Sequence, residues 1–371
     1  DFILIMKIPF NYLPFQFFNT SPYFKEWKKL IKSSEFTLGS YVENFEKTFA
    51  NYVGAKHCIS TNNGTDALIL SLKAANIKKG DEVITVCNSF YATAGAIVEC
   101  GARPVFVDCD NRYQINVNQI EKVITSKTKA ILPVHWAGAS PNMHKILKIS
   151  KKYKLKVIED ACMGIGAKIK GKSPGTFGDV NAFSMHPLKS LNVMGDGGMV
   201  VTNNDKIAYW LKKYRNHGMI NRDNIDIWGV NTRLQPLQAI VAMIELRKVN
   251  KIIKKRNQNA KILDRALSKI KQIEIPFRPK GYKETFALYM AKFKKRNQLK
   301  KFLLKNKIEV KIHYPKPLHL QKPSRLIGYK KNDFLYAENQ AKELLTLPVH
   351  QYLSRDQLDF MINKIKDFYA N

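Results

Sequence analysis

The chain has no long apolar run. Nothing in its 371 residues approaches the roughly 20 consecutive apolar positions that a membrane-spanning helix needs, so no membrane partner is expected. The first six residues, DFILIM, lack a basic leader and a cleavage site and do not make a signal peptide. Met6-Lys7 reads as the natural start, with residues 1–5 an artefact of gene calling, and the expected location is cytoplasmic. Cysteine is scarce: there are 5, an odd number, with no C-x-x-C pair and no Cys/His ligand spacing. That argues against a disulfide framework and against a zinc site, and no metal is expected.

Acidic residues are also few. Asp and Glu number 30 against 62 Lys and Arg, for a formal net charge of +32. Such an excess can mark a nucleic-acid binder. Here the lysines are spread over the whole chain. The densest run, Lys292 to Lys307, is interleaved with Phe293, Leu299, Phe302 and Leu303 at near-helical spacing, the pattern of one solvated helix face. No zinc-finger or ribonucleoprotein motif accompanies it, so no specific nucleic-acid partner is expected. A basic surface would still attract a polyanionic substrate.

What is present is alternation. Apolar strands are expected at 56–60, 82–87, 104–107, 129–134, 154–158, 180–183 and 199–202. Helical patterns lie between most of them, at 67–75, 93–100, 117–125, 142–153 and 206–214. This order predicts an α/β fold: a mixed, mostly parallel sheet with helices on both faces. The glycines at 195–198 predict a tight reversal into the last strand. A long helix is expected from Pro236 past Lys255, then a mixture of helices and short strands such as 286–291 and 309–313. The chain therefore divides into a large domain, 1–249, and a smaller C-terminal α+β domain, 250–371.

Three short stretches carry chemistry. Asn63-Gly64-Thr65-Asp66 joins a strand to a helix, where free backbone N–H groups suit a phosphate. Taken alone, Thr65 or Asp66 is equally an N-cap. Asp160 ends a parallel strand, and a carboxylate there can keep a ring nitrogen protonated; alone it is as well read as a capping or ion-paired acid. Lys189 follows Ser184-Met185-His186-Pro187-Leu188 in a loop between apolar strands. Burial would lower its pKa, as a Schiff-base lysine requires, although most lysines are simply solvated. His186 is a second polar candidate or a packed histidine.

Taken together, the segments FTLGSYVENFEKTFANYVGAKH, NNGTDALILSL, NSFYATAGAIVECGARPVFVDCD, VIEDACMGIGA, AFSMHPLKSLNVMGDGGMVVTN, GVNTRLQPLQA, HYPKPLHLQ and LLTLPVH resemble, in order and spacing, the DegT/DnrJ/EryC1/StrS family of pyridoxal-phosphate sugar aminotransferases. The resemblance spans nearly the whole chain and implies the PLP-dependent transferase fold type I of aspartate aminotransferase.

It implies pyridoxal 5'-phosphate as cofactor, with Lys189 forming the internal aldimine and moving the proton on the way to pyridoxamine phosphate. Asp160 would pair with the pyridine nitrogen and Phe90 would stack on the ring. Gly64, Thr65, Asp66 and Ser184 would hold the phosphate. Asn231 would reach the cofactor phosphate of a neighbouring subunit, which requires a homodimer with shared sites. His186, Tyr314 and His319 are the expected substrate contacts.

The implied reaction moves an amino group, usually from L-glutamate, to a keto group of a nucleotide-linked deoxysugar, for amino-sugar or surface-polysaccharide synthesis. Relatives that dehydrate sugars carry His in place of the lysine, so Lys189 favours transamination. A sugar dehydratase, an aminoaromatic-precursor synthase and a basic regulatory or nucleic-acid-binding protein on the same scaffold are the alternatives. Two positions depart from the family pattern. Met163 stands where Gln is usual near the ring oxygen, and a thioether is a poor hydrogen-bonding substitute. His144 replaces an Asp of the helix surface.

Overall fold

Side chains along the central strands alternate between two apolar cores. The structure, a computed structural model, describes residues 6–370; residues 1–5, the expected gene-calling artefact, lie outside the described residues. Its central strands are β1 (His57–Thr61), β2 (Glu82–Val86), β3 (Arg103–Val107), β4 (Thr128–Leu132), β5 (Lys156–Val157), β6 (Asn181–Ser184) and β7 (Gly198–Thr202). Cys58, Phe183, Met199 and Val201 enter one core, while Ile59, Ala182 and Val200 enter the other. Every residue of β2, β6 and β7 is buried, as strands covered on both faces must be.

The covering helices are α1 (Ser21–Ser33), α2 (Ser40–Val53), α3 (Gly64–Ala74), α4 (Tyr91–Glu99), α5 (Met143–Tyr153), α6 (Asp205–Tyr214) and α7 (Pro236–Leu246). In α2 the apolar residues Val42, Phe45, Phe49 and Val53 recur at steps of three and four and are all buried. They join α7 in one core, while α3 to α6 feed the other.

The hydrogen-bonded order is β3-β2-β4-β5 in one group and β1-β7-β6 in the other. Asp160 joins the groups through parallel bridges to Val134 on one side and Ala182 on the other. All strands of the joined sheet run one way except β7, which is antiparallel to β1 and β6.

The tight reversal expected at 195–198 is instead the end of a longer loop. Ser184 pairs directly with Gly198, and Met185 N–H donates to Gly197 O at 2.7 Å, so both ends of the 185–197 segment are pinned. Gly198 is needed for close approach: a Cβ there would lie 2.2 Å from the carbonyl oxygen of Asn63.

Beyond α7 the single long helix of the sequence reading is two. Lys248 N–H bonds to Glu245 O, a tightened turn, and the chain restarts as α8 (Val249–Leu267). The expected division at 249/250 thus falls at the first residue of α8, whose two ends pack into different cores. Val249 and Ile253 pack into the large-domain core, whereas Leu263 and Leu267 pack into a third. Ile8, near the other end of the chain, also packs into the third core and pairs with Ile308.

The third core is backed by antiparallel β8 (Ile273–Glu274), β9 (Tyr289–Phe293) and β10 (Leu344–Leu347), with α9 (Arg296–Lys305) and α10 (Arg355–Ala370). The expected strand at 286–291 lies slightly later, as β9. The one expected at 309–313 is reduced to a bridge between Lys311 and Thr346, and the basic helix starts only at Arg296 because Lys292 and Phe293 belong to β9.

Glu159 and Asp160 are neighbours with opposite duties, because successive strand side chains point to opposite faces. Glu159 is fully buried and accepts from His135 Nε2 at 2.8 Å and from the backbone N–H groups of Gly175, Phe177 and Gly178 at 2.8, 2.6 and 2.7 Å. It fixes the loop that leads to β6. Glu159→Ala leaves those donors buried and unmatched, and the expected loss of stability is about 3–5 kcal/mol, read as a lower urea midpoint at unchanged slope.

Candidate active site

A cavity of about 470 Å³ opens between the carboxyl ends of the strands and the small domain. Most of the residues singled out by the sequence meet in it: Gly64, Thr65, Phe90, Asp160, Ser184 and Lys189 all line its wall. Asp66, His186, Tyr314 and Met163 line it as well.

One corner is the start of α3. Asn63, rather than Thr65 or Asp66, is the N-cap: its side-chain oxygen accepts from Asp66 N–H at 2.8 Å. Asn63 O then takes Ala67 N–H. The N–H groups of Gly64 and Thr65 come before these, at the open end of the helix where no earlier turn can accept them. A Cβ at Gly64 would sit 2.6 Å from Cβ of Ser184, so the glycine lets the helix end and Ser184 close on one small cradle. Helix N-terminus and hydroxyl together suit a phosphate.

Asp66 does something else: its N–H is spent on the cap, and its carboxylate accepts from Asn63 Nδ2 at 3.1 Å and from Thr232 Oγ1 at 2.9 Å. It ties down the segment that carries Asn231.

Asp160 lies at the floor and is 5% exposed. Thr93 Oγ1 donates to one carboxylate oxygen at 2.8 Å, and Cys162 N–H donates to the other at 3.3 Å. Thr93 is itself bonded to Ser89 Oγ at 2.7 Å. The carboxylate is therefore oriented, with lone pairs left for a cationic partner.

Lys189 enters from the 185–197 loop. Its N–H bonds to His186 O at 2.8 Å, and its carbonyl accepts from Tyr12 OH at 3.0 Å and Asn192 Nδ2 at 3.3 Å. Burial lowers the ammonium pKa below a lysine's ordinary value, and the nearby Cys162 and Asp160 oppose that shift. An amine that deprotonates easily beside a fixed carboxylate can act as a nucleophile or move a proton.

The remaining expected residues divide. Phe90 is about half exposed at the rim, near Tyr91 and Tyr314, with its ring free to cover a flat ligand. His186 is exposed at the mouth, and Tyr314 stands against Trp136. His319 is displaced from the site: it is fully buried, bonded to Glu338 at 3.0 Å and packed edge-on against Phe334, and it does not line the cavity. Asn231 is exposed outside the cavity of its own chain. Met163 lines the cavity where the family pattern has Gln, and its carbonyl accepts from Thr285 Oγ1 at 2.9 Å.

Tyr12, Arg256, His313 and His350 also line the cavity, although none was singled out as a site residue from the sequence. They come from four distant stretches. Only the segments HYPKPLHLQ and LLTLPVH, which contain the two histidines, gave any signal.

Fold and site together describe an α/β aminotransferase. Residues 20–366 match the DegT/DnrJ/EryC1/StrS aminotransferase family, and the chain belongs to it. It is 38% identical to a pleiotropic regulatory protein of Geobacillus stearothermophilus, over 92% of this chain and 93% of that one. It is 36% identical to a dTDP-3-amino-3,6-dideoxy-α-D-galactopyranose transaminase of Aneurinibacillus thermoaerophilus, over 92% and 93%. The NtdA protein of Bacillus subtilis, solved with bound cofactor PMP, superposes with a TM-score of 0.89 at 28% identity, covering 95% of this chain and 82% of that one.

Two cavity histidines set an acid limit. Burial, with Lys189 and Lys311, pushes His313 down to about 4. Burial, opposed by a bond to Pro9 O and aided by Arg256, pushes His350 to about 4. Both stay neutral in the folded chain where the unfolded chain, near 6.5, takes up protons. Their contribution to stability is complete above 6.5 and is lost as pH falls toward about 4. Urea midpoints measured across that window should fall, and less steeply in a His313→Gln/His350→Gln double variant.

Proposed function

We propose that the chain is a pyridoxal-phosphate aminotransferase that moves nitrogen from an amino acid, L-glutamate in the first instance, to a keto group of a nucleotide-linked deoxysugar. The observation that carries this reading is the meeting of Lys189, Asp160 and the open end of α3 in one cavity. The residues present fit the cofactor. The Gly64, Thr65 and Ser184 cradle takes its phosphate, Asp160 its ring nitrogen and Phe90 its ring face. Bound there, the cofactor supplies an electron sink for the carbon that loses its proton.

The protein supplies the rest. Asp160, oriented by Thr93, keeps the ring nitrogen charged. Lys189 is the point of covalent attachment, and its Nζ removes the donor's α-proton and later returns one to the product side. Its lowered pKa makes the neutral amine available for both tasks. His186 and Tyr314, near the mouth, are placed for the sugar. The transaminase similarity supports the substrate class, and the strongly basic chain suits a diphosphate.

The site is proposed to be shared in a homodimer. Thr232 Oγ1 faces Asn62 Oδ1 at 2.5 Å and Asp66 at 2.9 Å, so the residue after Asn231 is moored to the phosphate corner while Asn231 points outward. The same segment exposes Ile220, Ile225 and Trp228, the last at 88%. Apolar side chains left in this way suit a subunit interface, which would bring Asn231 to the partner's cofactor phosphate.

Two experiments test this. The purified protein should carry a yellow chromophore that borohydride fixes to the chain, and Lys189→Ala should lose that fixation; a variant that retains it removes Lys189 from the role. For sharing, the inactive Lys189→Ala and Asn231→Ala homodimers are mixed and allowed to exchange subunits. Partial recovery, at most about a quarter of wild-type activity for random exchange, is expected, and no recovery despite demonstrated exchange would count against a shared site.

A further inference from the structure

The described residues include three buried arginines: Arg215, Arg256 and Arg296. Arg215 is paired with Glu46. Arg296 gives its two terminal nitrogens to the carbonyls of Leu344 and Ala341 at 2.6 and 3.0 Å. Arg256 has neither arrangement. It is 2% exposed, its Nε donates to Gln351 Oε1 at 3.0 Å, and its Nη2 is buried with no hydrogen-bond partner. No carboxylate among the described residues forms an ion pair with it. A guanidinium cannot shed its proton to escape burial, and a buried charge without a counter-ion is costly.

Its position is equally specific. Arg256 lies in the wall of the active-site cavity, and its guanidinium stands 5.0 Å over the ring of Tyr12. The hydroxyl of Tyr12 donates to the carbonyl of Lys189. One aromatic side chain therefore separates the unpaired cation, carried by α8, from the backbone of the attachment lysine.

We infer that Arg256 anchors a carboxylate of the amino donor, a reading that rests on the transamination proposed above. The guanidinium fork matches a planar carboxylate through two parallel N–H bonds. An acid held there would share the cavity with the side chain of Lys189. The diphosphate of a nucleotide sugar is a poorer match, because it must lead a bulky nucleotide out to solvent and Arg256 is almost wholly enclosed. Arg256 is thus a binding residue that the product ketoacid should meet in the reverse direction.

The test separates the two half-reactions. Cofactor-loaded wild type and Arg256→Gln are mixed first with L-glutamate and then, in the pyridoxamine form, with the keto sugar, while the cofactor absorbance is followed. Binding of glutarate, a dicarboxylate without an amine, is measured by calorimetry. Arg256→Gln should weaken glutamate and glutarate by about 10–100-fold, the loss of a charge-assisted pair, and leave the sugar half-reaction within about twofold of wild type.

Equal losses in both halves, a loss confined to the sugar half, or unchanged glutarate binding would overturn the assignment. If Arg256→Gln does not fold, Arg256→Lys, which keeps the charge without the fork, is judged by the same criteria. Wild-type protein that glutamate does not convert would defeat the transamination reading instead, so the two failures are distinguishable.

Discussion

The structure turns on the backbone of Asp160. Its N–H donates to Pro133 O at 2.9 Å, and its carbonyl accepts from His135 N–H at 3.0 Å. On the other side, Ala161 N–H bonds to Ala182 O and Ala182 N–H to Glu159 O, each at 2.9 Å. These bonds are the seam between the two groups of strands. Because the seam lies at the carboxyl ends of β4 and β5, the side chain of Asp160 is delivered to the crevice where open α/β sheets bind ligands. The residue that closes the sheet is thereby the residue that lines the cavity where the proposed cofactor's ring would lie. Glu159, one step earlier, faces the other way and locks the approach to β6.

From that seam the other parts follow by register. β6 carries Ser184 to the same edge, and its pairing with Gly198 pins the base of the loop that holds Lys189. The absence of a side chain at Gly198 admits the carbonyl of Asn63, which brings the start of α3 against Ser184. A larger residue at Gly64 would meet Ser184 and one at Gly198 would meet the carbonyl of Asn63, so either would push the start of α3 away from these strands. Geometry at the scale of one methyl group thus decides whether acid, lysine and helix end share a cavity.

The order of motifs in the chain made this part readable. Asp160, Ser184 and Lys189 lie on consecutive strands and their connecting loop, so local pattern and order in an α/β sheet suffice to place them on one edge. The family resemblance supplied Phe90 and Asn231, which periodicity alone would assign to core and surface. What escaped was whatever depends on long-range packing. Tyr12 precedes any clear periodic pattern, and Arg256 sits in a lysine-rich helix where one more cation carries no signal. His319 was grouped with Tyr314 by proximity in sequence, yet the short turn between them sends it into the core against Glu338. The glycines at 195–198 signalled a hairpin because nothing local reveals that Ser184 and Gly198 are partners across an intervening loop.

The charge excess has two different consequences, and burial separates them. Most lysines lie on the surface, where their ion pairs are screened and worth little individually; their summed field draws anions toward the molecule. Lys189 and Arg256 sit within the cavity, where burial acts on each according to its chemistry. An ammonium group can lose its proton, so desolvation turns Lys189 toward the neutral, reactive form. A guanidinium cannot, so the same desolvation leaves Arg256 a fixed cation in need of an anion. Exchanging the two residue types would remove both properties: an arginine at 189 has no accessible neutral amine, and a lysine at 256 could answer burial by losing its charge.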